Sequence, residues 1–148
     1  MNGLLGVDFG HRRLGLAAGD AAGIVATPLR TVGVRSVQEA VAAVVEACAD
    51  TEAEGVVVGL PLNMDGTRGP MARQVEAFVE RLRSRLAIPV ETWDERLSSS
   101  LVERTLLDAD VSRRKRKTVR DKLAAQVILQ SYLDAQQQPG TDTEEAWT

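Results

Sequence analysis

Four carboxylates in this chain stand where a carboxylate is unfavourable unless something holds it. Asp8 closes the apolar run Leu4-Leu5-Gly6-Val7 and is followed by Phe9-Gly10, a turn, and a second apolar run, Leu14-Gly15-Leu16-Ala17-Ala18. An acid at the exit of a buried strand, beside a glycine that lets a ligand approach the backbone, is costly to place without a partner. Asp94-Glu95 ends a later strand-like segment in the same way. Asp121 lies in a helical run, and at about 100° per residue it shares a face with Ala124, Ala125, Ile128 and Tyr132. That face is small and apolar, so it should pack closely on a sheet and carry the acid inward. Three such carboxylates can share one partner, a hard divalent cation. Oxygen-only ligation suits Mg²⁺ or Mn²⁺, and the sequence has no Cys/His spacing for Zn²⁺. Paired metals about 3.5–4 Å apart activate a water and stabilise the leaving oxygen in an in-line attack on a phosphodiester. Taken singly, each acid has a plainer reading. Asp8 terminates a turn, Asp94 or Glu95 caps a helix beginning near Ser98, and Asp121 pairs with Arg120 or Lys122.

The elements that must bring these acids together can be read from periodicity and turn chemistry. Residues 3–8, 13–19 and roughly 24–33 are expected as three short strands in a meander. Ser36-Val37-Gln38-Glu39 has capping-box spacing, and Val37, Val41, Val44, Val45 and Cys48 follow helical periodicity to about Asp50. Gly55-Val56-Val57-Val58-Gly59-Leu60 has the continuous apolar character of a buried parallel strand. Pro70 should start a helix with the stripe Met71, Val75, Phe78, Val79, Leu82 and Leu86. Ile88 to Trp93 reads as a strand, Ser100 to about Asp108 as a short capped helix, and Val119 to Leu133 as the last helix. The expected fold is α/β, a mixed five-stranded sheet whose first three strands form a meander before βα units, with helices on both faces. Ligands of such sheets collect outside the carboxyl ends of the strands. One domain over residues 1–135 is expected, with an acidic tail of disordered composition over 136–148.

Composition limits the alternatives. The chain has 148 residues, 44% hydrophobic and 26% charged, enough for one globular core without a staple. A single cysteine, Cys48, makes no internal disulfide, and the few apolar residues before Asp8 are too short for a signal peptide, so a cytoplasmic protein is expected. No apolar run approaches the roughly 20 residues that span a bilayer, so no membrane partner is expected. The formal net charge of −3 excludes a wholly basic coat, but the charges are sorted along the chain. Arg113, Arg114, Lys115, Arg116, Lys117, Arg120 and Lys122 face only one acid, Asp121, giving that segment +6. Such a segment is either a solvated loop or a polyanion-binding edge, where each cation that neutralises a phosphate releases a counterion. Its place just before the Asp121 helix favours a clamp on a nucleic-acid backbone. The aromatic residues are scattered, which argues against a base-stacking platform.

Other residues carry two readings each. Asn63, Asp65, Gly66 and Thr67 form a turn after the Val56–Val58 strand, expected beside Asp8, where Asn63 and Thr67 could meet a phosphate or simply build the loop. Arg96 either contacts a scissile phosphate or pairs with Asp94. Arg12 and Arg13 are exposed turn residues that add to the positive field, and His11 is a turn imidazole facing solvent or a general base.

Several segments carry a resemblance. Val7-Asp8-Phe9-Gly10 with Arg13-Leu14-Gly15-Leu16-Ala17, Val57 to Thr67 with its Gly-Leu-Pro-Leu-Asn-Met-Asp-Gly core, Trp93-Asp94-Glu95-Arg96-Leu97-Ser98, and Asp121-Lys122-Leu123-Ala124-Ala125 with Ile128-Leu129 and Ser131-Tyr132-Leu133 resemble the YqgF/RuvX family. The resemblance runs in order from residue 4 to about 134. It implies a ribonuclease H-like three-layer α/β/α fold and a metal-dependent nuclease that matures the 5′ end of pre-16S rRNA in ribosome biogenesis. It implies Asp8, Glu95 and Asp121 as the acidic triad holding Mg²⁺ or Mn²⁺, choosing Glu95 over Asp94 and leaving Asp94 as a supporting or spare ligand. His11 departs from the small hydroxyl residue frequent in relatives. Ala124 and Ala125 stand where the resolvase branch commonly has a further acid, which would leave a second metal weakly held.

The residues alone leave three readings. The nuclease could act on RNA, which only the resemblance favours, or on branched or single-stranded DNA in repair and recombination. A non-catalytic nucleic-acid-binding factor would keep the basic segment without needing all three acids. A monomer or a homodimer fits each. Asp8-Phe9-Gly10 is also similar to the phosphate turn of sugar kinases and actin, but those close two such domains around a nucleotide and 148 residues supply one.

Overall fold

The computed structural model describes residues 3–97 and 113–137, with residues 113–122 described by their backbone alone. The elements run β1 (Leu4–Phe9), β2 (Arg13–Gly19), β3 (Ala26–Gly33), α1 (Val37–Thr51), β4 (Gly55–Leu60), α2 (Pro70–Arg85), β5 (Val90–Asp94), a 3₁₀ turn (Glu95–Leu97) and α3 (Arg113–Gln136). The helix expected from Ser100 to Asp108 and the tail beyond Gln137 lie outside the described residues.

The sheet order is β3-β2-β1-β4-β5. The meander β1-β2-β3 is antiparallel, while β4 and β5 join β1 in parallel. β1 lies between β2, which follows it directly, and β4, which the chain reaches from β3 through α1, so the carboxyl end of β1 stands where the antiparallel meander meets the parallel strands. β3 is one edge of the sheet and β5 the other. β3 carries Pro28, and the register slips between Leu16 and Ala17 opposite it, a bulge where an edge tolerates the missing amide donor.

Strand alternation sorts the core into two layers. Leu5, Val7, Phe9, Leu14, Leu16, Val56, Val58, Leu60 and Val90 point to one face and pack against α1 and α2. Phe9 and Phe78 stack there with ring centroids 4.4 Å apart. On the other face Ala17, Ala26 and Val57 meet Ala125, Ile128, Leu129 and Leu133 of α3. The helix ends follow the expected chemistry. The Ser36 hydroxyl accepts from the Glu39 amide at 3.1 Å, the Glu39 carboxylate accepts from the Arg35 amide at 3.1 Å, and Pro70 opens α2.

The last helix differs from the expectation. It begins at Arg113, not near Val119, so the basic segment is the start of α3 rather than a loop before it. Apolar periodicity marks only the part of a helix that packs, and Arg and Lys are good helix formers that continue it beyond the core. The helix also runs on through Gln136, and Gln137 donates to the Gly23 carbonyl at 3.1 Å.

Small residues floor the α3 face. A Cβ added at Gly6 would stand 2.7 Å from Leu129 Cβ and 3.0 Å from the Ala125 carbonyl oxygen. Both obstacles belong to the helix body and cannot swing aside. Gly6→Ala is therefore expected to destabilise the protein by about 1–3 kcal/mol, the usual cost of overpacking. Urea titration checks it: the midpoint falls while the slope is unchanged.

Candidate active site at the carboxyl ends of β1 and β5

Asp8 is the fifth residue of β1 and lies on the α3 face, since Val7 and Phe9 point the other way. Its antiparallel partner is Gly15, and the parallel register Val7 with Val58 continues so that Gly59 comes alongside on the other strand. Glycine on both neighbours leaves space over the sheet around this carboxylate.

Glu95 uses that space. It is the first residue of the 3₁₀ turn after β5 and its side chain folds back over β4. A Cβ at Gly59 would lie 2.9 Å from Glu95 Cγ and 3.2 Å from its carboxyl carbon. Burial, followed by the negative charges of Asp8 and Asp94, pushes the Glu95 carboxyl up to about 7. Two acids remote in sequence thus share one electrostatic environment, and the sequence-predicted pairing of Asp8 with Glu95 is what the structure brings together. Perturbation by burial and a like charge at the edge of a sheet marks Glu95 as a candidate functional group.

Asp94 is engaged differently. As the last residue of β5 it alternates to the opposite face from Trp93, and both of its oxygens accept from Arg96. The ion pair is 2.7 Å, and the Arg96 amide also donates to Asp94 Oδ1 at 2.9 Å. The guanidinium holds Asp94 below the usual carboxylate range. Of the two readings of Arg96, the pairing with Asp94 is the one observed. Arg96 Nη1 reaches further, to the Met64 carbonyl at 3.2 Å, and so ties the loop after β4 to the turn bearing Glu95.

That loop is built from its own side chains. Asn63 Nδ2 donates to the Thr67 hydroxyl at 2.9 Å, and Thr67 donates to Asp65 from its hydroxyl at 2.6 Å and its amide at 3.0 Å. Gly66 adopts φ +86°, a left-handed conformation that favours glycine. The Asn63 amide group and Thr67 hydroxyl, expected as phosphate contacts, are thus used inside the loop. Arg13 opens β2, and the Met64 side chain stands exposed at the loop tip.

Asp121 is described by its backbone. The register of α3 on the sheet fixes its height: Leu133 and Leu129 lie by Gly19, and Leu129 and Ala125 lie by Gly6. Two residues on from Gly6, about 6.6 Å along β1, is Asp8. Four residues back from Ala125, about 6 Å along the helix, is Asp121. Position 121 therefore comes level with Asp8, on the side of α3 that carries Ala125 and Ile128. Lys122 and the segment Arg113, Arg114, Lys115, Arg116 and Lys117 occupy the turns around and before it. Among the described residues no three His, Cys, Asp or Glu side chains group closely enough to hold a metal ion.

The anchors that fix α3 escaped the sequence reading. Trp93 Nε1 donates to the Ser131 hydroxyl at 2.9 Å, Trp93 and Tyr132 meet edge to face at 5.3 Å, and the Tyr132 hydroxyl donates to Glu91 at 2.5 Å. On the other side Gln126 and Gln130 bond the backbone of Ala26 at 3.0 and 2.9 Å. The helix is clasped at both margins of the sheet, which sets the rotation and height that level Asp121 with Asp8. Their partners lie tens of residues away, so no local spacing signals them.

A mixed sheet in this strand order, helices on both faces and acids at the carboxyl ends of its strands define a ribonuclease H-like α/β protein. The structure of Thermus thermophilus RuvC in complex with a Holliday junction substrate superposes with a TM-score of 0.53 at 17% identity, covering 93% of this chain and 97% of RuvC. A second Thermus thermophilus RuvC structure gives 0.51 at 18% identity, over 91% and 96%. A family model described as RuvX, Holliday junction resolvase, matches residues 2–135, and the chain belongs to that family. A relative in Myxococcus xanthus is 45% identical over 138 residues, covering 93% of this chain and 91% of its own length. One in Symbiobacterium thermophilum is 47% identical over 130 residues, covering 88% and 90%. Both carry the name "Putative pre-16S rRNA nuclease". No helix among the described residues is long and apolar enough to cross a membrane.

The raised Glu95 carboxyl has a pH consequence in metal-free buffer. Its ordinary value is 4.5 and its folded value about 7, so between these the folded chain holds a proton that the unfolded chain has lost. Stability from this group is complete below about pH 4.5 and is lost as pH rises through 7. Glu95→Gln removes that loss, so the variant should be the more stable protein at pH 8 by on the order of 1–3 kcal/mol and near parity at pH 4.5. Thermal melts across the range check this; a gap between the two proteins that does not vary with pH would contradict it.

Proposed function

We propose that this chain is a divalent-metal-dependent nuclease that hydrolyses phosphodiester bonds in the 5′ maturation of pre-16S rRNA, a cytoplasmic step of ribosome assembly. The observation that carries the reading is the approach of Glu95 to Asp8 over Gly59, a like-charge pair that a cation would relieve. The family and the names of relatives that match nearly the whole chain supply the substrate class.

In this reading Asp8, Glu95 and Asp121 form the acidic triad. The donor set suits a hard cation, being carboxylate oxygen throughout. Mg²⁺ or Mn²⁺ held there would supply a Lewis acid for the phosphoryl oxygen and lower the pKa of an attacking water. The chain's own work is positional. The Gly59 floor lets Glu95 lie over β4 beside Asp8, the clasped α3 brings Asp121 level with them, and Arg96 restrains Asp94 and the Asn63–Thr67 loop at the margin. Asp94, with its oxygens held by Arg96, supports the site rather than ligating. The cations of the first turns of α3, Arg113 to Lys117 with Lys122, bind the incoming backbone, aided by Arg13. A DNA reading, with four-way junctions as substrate, draws on the description of the family as a Holliday junction resolvase. The same acids serve either backbone.

Asp8→Asn, Glu95→Gln and Asp121→Asn are each expected to reduce Mn²⁺- or Mg²⁺-dependent cleavage by at least about a hundredfold while the variants remain folded. Purified protein assayed on matched pre-16S-like RNA, single-stranded DNA and four-way junctions, with and without the ion, separates the substrates. Normal cutting by any one variant removes that residue from the triad. Equal cutting without added ion, in the presence of chelator, overturns the metal requirement.

Neutralising Arg113 to Lys117 should weaken binding to every sequence alike and flatten its salt dependence by nearly one unit of slope for each phosphate no longer neutralised. Anisotropy titrations over a salt series measure it, and an unchanged slope returns the segment to a solvated helix end.

A further inference from the structure

A second group of cations lies on the opposite side of Asp8 from β4 and β5. The turn between β1 and β2 is closed by the Gly10 amide on the Arg13 carbonyl at 3.0 Å. The chain leaving β3 for α1 crosses that turn, and the Val34 amide donates to the Arg12 carbonyl at 2.9 Å. His11, Arg12, Gly33, Val34 and Arg35 line an open cleft of about 820 Å³ between the two. The fold thus brings Arg35, distant in sequence, beside His11 and Arg12, three and four residues beyond Asp8.

Among the described residues Arg12 and Arg35 have no ion-pair partner, and neither do Arg73, Arg81 and Arg85 of α2, but only Arg12 and Arg35 are brought together on one cleft, with Arg12 four residues of chain beyond Asp8. Glu39, the nearest acid in sequence to Arg35, accepts from the Arg35 amide in the capping box of α1. Two unpaired guanidinium groups and an imidazole around a concave wall are a poor arrangement for a folded protein alone, because like charges repel, and a good one for a polyanion. The cleft is at the upper end of small-ligand pocket sizes yet wide open, which suits a strand passing through better than an enclosed metabolite.

We propose that this cleft is a second backbone-binding site, taking the sugar-phosphate chain of the substrate on the β2–β3 side of the acids. The inference rests on the nuclease reading for what lies between the two cationic groups. The scissile phosphate sits over Asp8 and Glu95, one flank of the strand runs along the first turns of α3, and the other enters between Arg12 and Arg35. Both guanidinium groups contact phosphate oxygens, and His11 adds a donor to the same wall. Binding here is indifferent to sequence, since nothing in the cleft is shaped to read a base edge.

The test uses the full chain and the double variants Arg12→Ala/Arg35→Ala and Arg12→Lys/Arg35→Lys, with Arg81→Ala/Arg85→Ala on α2 as a control. Fluorescence anisotropy of labelled single-stranded RNA and DNA and of a four-way junction, over a salt series, gives the affinity and the salt slope. The alanine pair should bind about tenfold or more weakly near 0.1 M salt, with a slope lower by about two; the lysine pair should keep the slope, and the control should match wild type. Circular dichroism confirms folding, and the backbone bond from Val34 to residue 12 survives the substitution. Alanine and wild-type proteins with equal affinity and equal slope overturn the proposal, as does a loss that the lysine pair shares in full. Cleavage is read in the same samples. Cleft-dependent binding without any metal-dependent cutting supports this site and rejects the nuclease reading; cutting that depends on the acids without cleft-dependent binding does the reverse.

Discussion

One missing methyl group governs the site. At Gly59 a Cβ would lie 2.5 Å from Ile128 Cδ1 and 2.9 Å from Glu95 Cγ, distances that real atoms do not reach. The first contact seats α3 on the sheet and the second lets the Glu95 side chain fold back toward β1. A side chain at this position would force the Ile128 end methyl to turn aside and the Glu95 side chain to leave its place over β4. Packing of α3 and placement of Glu95 thus meet at a single backbone position, and the link is steric, since both side chains occupy the space a Cβ there would take.

That steric permission creates an electrostatic problem. Space over Gly59 draws Glu95 out of water and toward Asp8, and the cost appears as a carboxyl raised to about 7. Asp94, one residue earlier, escapes the same cost because strand alternation turns it to the other face, where Arg96 meets both oxygens. Adjacent acids thus acquire opposite characters. One is held by Arg96 and restrains a loop; the other lies buried beside the negative charges of Asp8 and Asp94.

The strands and the first two helices were legible because their signals are local. Gly55 to Leu60 reads as a strand from six residues and is observed with those bounds, and Ser36 and Glu39 announce a helix start that the structure reproduces. The approach of Asp8 and Glu95 was legible at one remove, since both lie at the carboxyl ends of strands, one within β1 and one just after β5, and the topology puts those ends together. Choosing Glu95 over Asp94 was not legible from alternation alone and came from the family resemblance; the physical reason, the turn that swings residue 95 over Gly59, exists only once β4 and β5 are paired. The start of α3 was misplaced because its first turns carry no apolar face to mark them. The clasps by Trp93, Tyr132, Gln126 and Gln130 were invisible for a related reason: each joins residues whose neighbourhood is made by the fold and by nothing in their spacing.

Net charge is a poor guide to what such a molecule binds, and the placement of its arginines explains why. The chain is acidic as a whole, yet many of its exposed guanidinium groups are already committed: Arg30 to Asp50, Arg68 to Glu76, Arg83 to Glu80, Arg96 to Asp94. These pairs contribute no field beyond a Debye length and little stability at the surface. The fold leaves Arg12 and Arg35 uncommitted, on the β2–β3 side of the carboxyl end of β1. Among the described residues the other cations without an ion pair, Arg73, Arg81 and Arg85, lie on α2, away from that end. If the cleft and the first turns of α3 both hold backbone as proposed, selection by strand geometry would follow without any contact to a base, because a strand would have to pass Asp8 to reach both.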